Sequence, residues 1–170
     1  MKLSLVQCRG FRNLEELSWQ PSGGSHLLLG DNGAGKTSLL EAIYVLATTR
    51  SFRAARLTEC TRHGDAGFRL AGEVSGDGLT ALEIELGGDG LSRRVNGGAA
   101  TLREPLALLP VVSWTASDLE WIAGAPLERR RLIDRGLVGS RPAAIESLAR
   151  YRQALDQKRE LLARRGGELD

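Results

Sequence analysis

The run Gly30-Asp-Asn-Gly-Ala-Gly-Lys36-Thr37 concentrates residue types that grip a polyphosphate. Gly30, Gly33 and Gly35 let the backbone take positive φ and approach an anion with no Cβ in the way. The backbone N–H groups of the loop, Asp31, Asn32 and Ala34 included, and of the first helical turn then face phosphate oxygens, helped by the helix dipole. Lys36 supplies a flexible point charge for the β- and γ-phosphates, and the Thr37 hydroxyl is suited to the Mg²⁺ that bridges them. The spacing is GxxxxGK[ST] in full. Its lysine is conspicuous: of 23 Lys plus Arg, 20 are arginine, and the lysines are Lys2, Lys36 and Lys158. A glycine-rich turn that only joins a strand to a helix is the alternative reading.

Context favours the phosphate reading. His26–Leu29 predicts a short, fully buried strand before the loop, and Thr37–Ala47, whose one charged residue is Glu41, predicts a helix apolar on nearly every face. Hydrolysis needs more than this loop. A carboxylate after about four apolar residues would sit near the metal, but "RRLIDRG" has only Leu132 and Ile133 before Asp134, and "ALEIEL" is broken by Glu83. No [NT]KxD guanine motif occurs, and no catalytic residue is assigned in this stretch of chain.

The remaining elements follow from periodicity. Leu3–Cys8 predicts a first strand with Leu17–Gln20 as its partner. Phe68–Val74, Leu79–Leu86 and Leu91–Val95, separated by "SGDG", "GGDG" and "NGG", predict an antiparallel patch at about 66–97. Leu108–Trp114 reads as a further buried strand, "TASDLEWIAG" as a short capped helix or turn, and Pro126 as the start of a helix running to Leu137. From Ser140 a last helix carries Leu148, Leu155 and Leu162 at heptad spacing, either the start of a helical arm or a surface helix on one core. The expected organisation is a phosphate-binding lobe over 1–140 and an arm from 141 to 170.

At 170 residues, 42% hydrophobic and 26% charged, the chain is globular in composition, and a net charge of +2 excludes an argument for nucleic acid from bulk charge. Local charge is another matter: Arg50–Arg62 holds four arginines against one acid, Glu59. Those arginines either contact phosphate or are solvated surface charges. Cys8 and Cys60 lack metal-ligand spacing and read as buried thiols in a reducing compartment. The N-terminus reaches Arg9 and Arg12 too soon for a signal peptide, and no apolar run nears the roughly 20 residues of a membrane span. A cytoplasmic protein is expected.

Four stretches taken together, "RGFRNL" (9–14), "GDNGAGKTSLLEAIY" (30–44), "RSFR" (50–53) and "SDLEWIAGAPLERRRLIDRGL" (117–137), resemble the bacterial RecF family, in that family's order. RecF proteins are DNA-repair ATPases related to SMC and ABC-type ATPases. The resemblance implies an α/β P-loop NTPase fold, an ABC-ATPase-like head lobe with an antiparallel β-subdomain and the start of a helical arm. It implies that the chain is the N-terminal part of a longer protein, with the signature and Walker B motifs beyond it. It also implies ATP and Mg²⁺ at Gly30–Thr37, with Thr37 on the metal, and Phe11, Arg12 and Asn13 at the rim near base or ribose. Arg50, Arg53 and Arg56 would touch nucleotide or DNA; Arg129–Arg131 are surface charges by the simpler reading, with Arg130 and Asp134 spaced to pair along a helix. The implied function is ATP-dependent homodimerisation on single-strand/double-strand DNA junctions. RecO and RecR would be partners in loading RecA, in replication-fork maintenance and in the SOS response, with weak DNA-stimulated ATPase activity.

Two readings compete with that one. A small-molecule phosphotransferase would need a lid and a second arginine clamp, for which the strands at 68–95 are poorly suited. A pure interaction module with a vestigial loop is at odds with an intact Lys36 and Thr37.

Overall fold

The computed structural model describes residues 1–76, 78–119 and 126–166. They form two compact units, Met1–Thr115 and Ala116–Asp170, so the division falls before the expected boundary at 140.

The first unit is built on a six-stranded antiparallel sheet in the order β2-β1-β3-β4-β5-β6. Its strands are β1 (Lys2–Phe11), β2 (Leu14–Trp19), β3 (Phe68–Ser75), β4 (Leu79–Gly87), β5 (Gly90–Val95) and β6 (Gly98–Ala99). The predicted patch at 66–97 is thus continuous with the N-terminal hairpin: β1 pairs with both β2 and β3, Cys8 opposite Leu17 on one side and Leu70 on the other. Alternation sorts the side chains. Val6, Cys8, Leu70, Val74, Leu82 and Ile84 are buried in one core, while Glu83 reaches Arg69 and Arg94, each at 2.8 Å. Asn96 and Gly97 both take positive φ and close the β5–β6 hairpin, the turn that Asn-Gly favours.

Helix α1 (Lys36–Thr48) supplies Leu39, Ala42, Val45 and Leu46 to that core. It lies close over β3: a Cβ on Gly72 would come within 2.6 Å of a Leu46 methyl. The chain then returns through a 3₁₀ turn at Leu57–Cys60 to the end of β1, where Phe11 bridges Thr61 and the Arg62 amide donates to the Gly10 carbonyl at 2.8 Å. Sequence periodicity passed over α2 (Arg103–Leu108) because it is short. Just before it the Thr101 amide and hydroxyl both donate to one Glu104 carboxylate oxygen, at 3.0 and 2.9 Å, which ties the entering chain to the first turn.

Two expected strands are not strands. The apolar texture of His26–Leu29 and Leu108–Trp114 predicts buried strands, but Leu27 and Leu29 are 81% and 82% exposed, and Val112 and Trp114 are 92% and 69% exposed. Only Leu28, Leu108 and Leu109 of those two stretches pack against the core. An apolar run becomes a strand when a neighbour completes its hydrogen-bond ladder, and no strand among the described residues pairs with either stretch.

The second unit holds a 3₁₀ turn (Ala116–Leu119), α3 (Pro126–Ser140) and α4 (Ala144–Gly166). Asp134 pairs with Arg152 of α4 at 2.8 Å, not with Arg130 as the spacing suggested. Of the heptad leucines, Leu148 and Leu155 are half-buried and Leu162 is exposed. Glu120–Ala125, the remainder of the expected capped turn, lie outside the described residues. Among the described residues no helix is long and apolar enough to cross a membrane.

Candidate nucleotide-binding site

The phosphate loop is shaped by its glycines. Gly30, Gly33 and Gly35 take φ of 146°, 86° and 92°, values that a Cβ would strain. Gly35 is the tightest of them, since a Cβ there would meet a Leu14 methyl at 2.6 Å. The Ala34 amide closes a turn on the Asp31 carbonyl at 3.2 Å, and α1 starts directly at Lys36 with no side-chain cap. The amides of Gly33, Gly35, Lys36 and Thr37 have no backbone acceptor among the described residues, leaving a group of donors at the positive end of a helix. Lys36 Nζ donates to the Gly30 and Asp31 carbonyls, both at 2.7 Å, which holds the ammonium over the loop. Thr37 is exposed beside it. These donors fit the oxygens of a polyphosphate. Among the described residues no group of three or more His, Cys, Asp or Glu could hold a metal ion.

Around this loop the structure sorts the other expected residues. Phe11 is not at a rim: it is wholly buried and packs edge-to-face on Phe68 at 5.1 Å. Val6 and Cys8 set the inward parity of β1, and Gly10, at a φ of 65° and skipped in the pairing with β2, shifts the alternation by one residue so that Phe11 also faces the core. Asn13 lies on the loop itself, where Nδ2 donates to the Gly33 carbonyl at 2.5 Å and Oδ1 accepts from the Ser38 hydroxyl at 2.7 Å.

Arg12 and Arg53 meet beneath α1 on Glu41, which is 0% exposed. Arg12 donates from Nε and Nη2 at 3.0 and 2.6 Å, Arg53 from Nη1 at 3.3 Å and Ser51 from its hydroxyl at 2.5 Å, with Cys60 Sγ at 3.7 Å. Arg50 and Arg56 do not join this cluster; they are exposed, and neither makes an ion pair among the described residues. Ser38, Ser51, Glu41 and Cys60 are not among the site residues that the motifs mark. Glu41 did carry a visible signal, as the one charge in an otherwise apolar helix, because an acid at such a position needs donors from elsewhere in the fold.

Burial by itself would raise the Glu41 carboxyl; the hydrogen bonds of Arg12 and Ser51 and the charges of Arg12 and Arg53 outweigh it and hold it below the usual carboxylate range. Burial pushes the Cys60 thiol up to about 11 and the Cys8 thiol up to about 12. Both are therefore protonated and shielded, and a thiol-specific reagent should label neither in the folded chain at neutral pH. Denaturant should release both together. Labelling of Cys60 at the rate of a free thiol in native protein would contradict the closed geometry around Glu41.

Known proteins give the geometry its setting. A family model described as an AAA domain matches residues 3–115. The DNA replication and repair protein RecF of Myxococcus xanthus (strain DK1622) is 36% identical over all of this chain, which covers 45% of that relative. The chain thus spans about half the length of the curated relatives it matches. A solved structure of the recombination mediator protein RecF with ATP, of the RecFOR pathway, superposes with a TM-score of 0.86 at 28% identity, over 95% of this chain and 44% of that one. A structure from work on ATP-driven dimerisation and DNA-stimulated activation of SMC ATPases shares the fold, with a TM-score of 0.63 at 22% identity over 79% of this chain and 99% of that one. The loop that Asn13 and Lys36 hold together lies within the matched span, and the chain belongs to the AAA-domain family, resembling along its length the N-terminal part of RecF.

Proposed function

We propose that this chain is the ATP-binding lobe of a DNA replication and repair protein that works as RecF does. The observation that carries the reading is the phosphate loop, with Lys36 Nζ poised over it and its amides free of backbone acceptors. The Thr37 hydroxyl would hold Mg²⁺, whose other ligands would be phosphate oxygens and water. When bound, such an ion would supply charge neutralisation; the chain's own work is to bind and orient the phosphates. Similarity to a RecF–ATP structure and to an SMC fold supports ATP as the nucleotide and an ATP-dependent homodimer as the working form. The RecFOR setting of that structure supports RecO and RecR as partners; single-strand/double-strand DNA junctions, RecA loading, the SOS response and the cytoplasm as compartment are the remaining parts of the proposal. The chain should bind labelled ATP saturably, with unlabelled ATP competing and AMP far less able to. No saturable binding would overturn the assignment.

The DNA half of the reading rests on Arg50 and Arg56, exposed and without ion pairs among the described residues, whereas Arg53 is partly committed to Glu41. Changing Arg50 and Arg56 to alanine should weaken DNA binding equally for unrelated sequences. It should also lower the slope of log affinity against log salt by about 1 to 2. Affinities measured at several salt concentrations give that slope, and an unchanged one would return both arginines to solvated surface.

A further inference from the structure

The hairpin that joins β1 to β2 does more than turn the chain. Its Asn13 spans two parts of the loop that no backbone hydrogen bond ties together, the Gly33 carbonyl at 2.5 Å and the Ser38 hydroxyl at 2.7 Å. Its Leu14 methyl fills the space that a Cβ on Gly35 would need. The hairpin is itself held from below. Arg12, at a φ of 56° that few residues other than glycine adopt, gives Nε and Nη2 to the buried Glu41, Nη1 to the Glu59 carbonyl at 2.8 Å and its amide to the Cys60 carbonyl at 2.7 Å. Glu41 lies on α1, a little over one turn beyond Lys36. A closed circuit results, from α1 through Arg12 to Asn13 and back to the loop and the first turn of α1.

We propose that Asn13 is a positioning residue of the phosphate loop, fixing the Gly33 peptide against the first turn of α1 so that the loop amides converge on phosphate whatever base is attached. A side-chain amide suits this place because it donates and accepts at once. Aspartate could accept from Ser38 but could not donate to Gly33, and it would set a negative charge beside the phosphates. A loop shaped in advance loses less freedom when it binds, so the bracket should act on affinity for the phosphates alone.

The inference rests on the phosphate-binding reading of the loop, and the experiment separates the two. ATP and inorganic tripolyphosphate are titrated into the wild-type chain, Asn13→Ala, Ser38→Ala and the double variant, with thermal unfolding recorded for each. Asn13→Ala should weaken both ligands by the same factor, about tenfold for one lost hydrogen-bonded brace, with the midpoint of unfolding nearly unchanged because Asn13 is exposed. Ser38→Ala should weaken both less, and the double variant should be no worse than Asn13→Ala, since one bond is shared. A loss for ATP with tripolyphosphate unaffected would make Asn13 a base or ribose contact and overturn the proposal. Additive losses, or no loss in Asn13→Ala, would overturn it too. Failure of the wild-type chain to bind either ligand would instead remove the phosphate reading, and the bracket with it.

Discussion

Lys36→Ala should lower ATP affinity by about 10- to 100-fold, the worth of one charge-assisted contact to the phosphates. The side chain is placed for that role by two carbonyls of its own loop, Gly30 and Asp31, each 2.7 Å from Nζ. Removing it leaves the glycine geometry and the Asn13 brace intact, so the loop should keep its shape and lose its cation. Lys36→Arg should recover little, because a planar fork cannot replace a compact ammonium inside a turn this tight. Isothermal titration of ATP into wild type and both variants reads the effect. Equal affinities for wild type and Lys36→Ala would mean that the lysine faces no phosphate.

The second large effect concerns Glu41. Glu41→Ala removes an acceptor shared by Arg12, Arg53 and Ser51, and leaves a cavity under α1. Breaking a buried pair typically costs 3–5 kcal/mol. Here Arg12 and Arg53 keep side-chain exposures of 21% and 46% and can turn to water, so about 2–4 kcal/mol is expected, with a midpoint of unfolding lower by roughly 10 °C. The pH dependence has a definite sign. Because the folded carboxyl titrates below its ordinary value of 4.5, the unfolded chain takes up the proton first as acid is added. The stabilisation is therefore complete above that value and is lost as pH falls through the lower folded value. Wild type should lose stability steeply on acidification below about pH 5, and Glu41→Gln should show a shallower decline over the same range. Chemical denaturation at pH 7, 5 and 4 compares the two slopes. Parallel curves would mean that Glu41 does not carry the charge that holds the two arginines.

Arg53 separates the two kinds of basic residue in its segment. Its alanine variant should share part of the Glu41 destabilisation, whereas Arg50 and Arg56, without ion pairs among the described residues, should be neutral for folding.

The phosphate loop was legible from residue types because its chemistry is local. Its anion cradle needs only glycines free to take positive φ, an amide-rich turn and one lysine within a short run of chain. The antiparallel strands at Phe68–Ser75, Leu79–Gly87 and Gly90–Val95 were legible for the same reason: a two-residue period and an Asn-Gly or Gly-rich turn are properties of neighbours in sequence. Other features depend on which distant segments meet. The stretches His26–Leu29 and Leu108–Trp114 have the apolar texture of strands, but pairing decides a strand, and a partner is not encoded in the run itself. Phe11 and Arg12 are adjacent in "FRN", yet one enters the core and the other an ion pair with a buried carboxylate, because Gly10 resets the facing of β1 at its last residue and Arg12, past the strand end, turns to Glu41 of α1. Asn13 and Ser38 are likewise 25 residues apart. Residue types marked a loop with the makings of a phosphate cradle, while only the packing of α1 against the first hairpin decided which side chains hold that loop, since hydrogen bonds act over about 3 Å of space and are indifferent to distance along the chain.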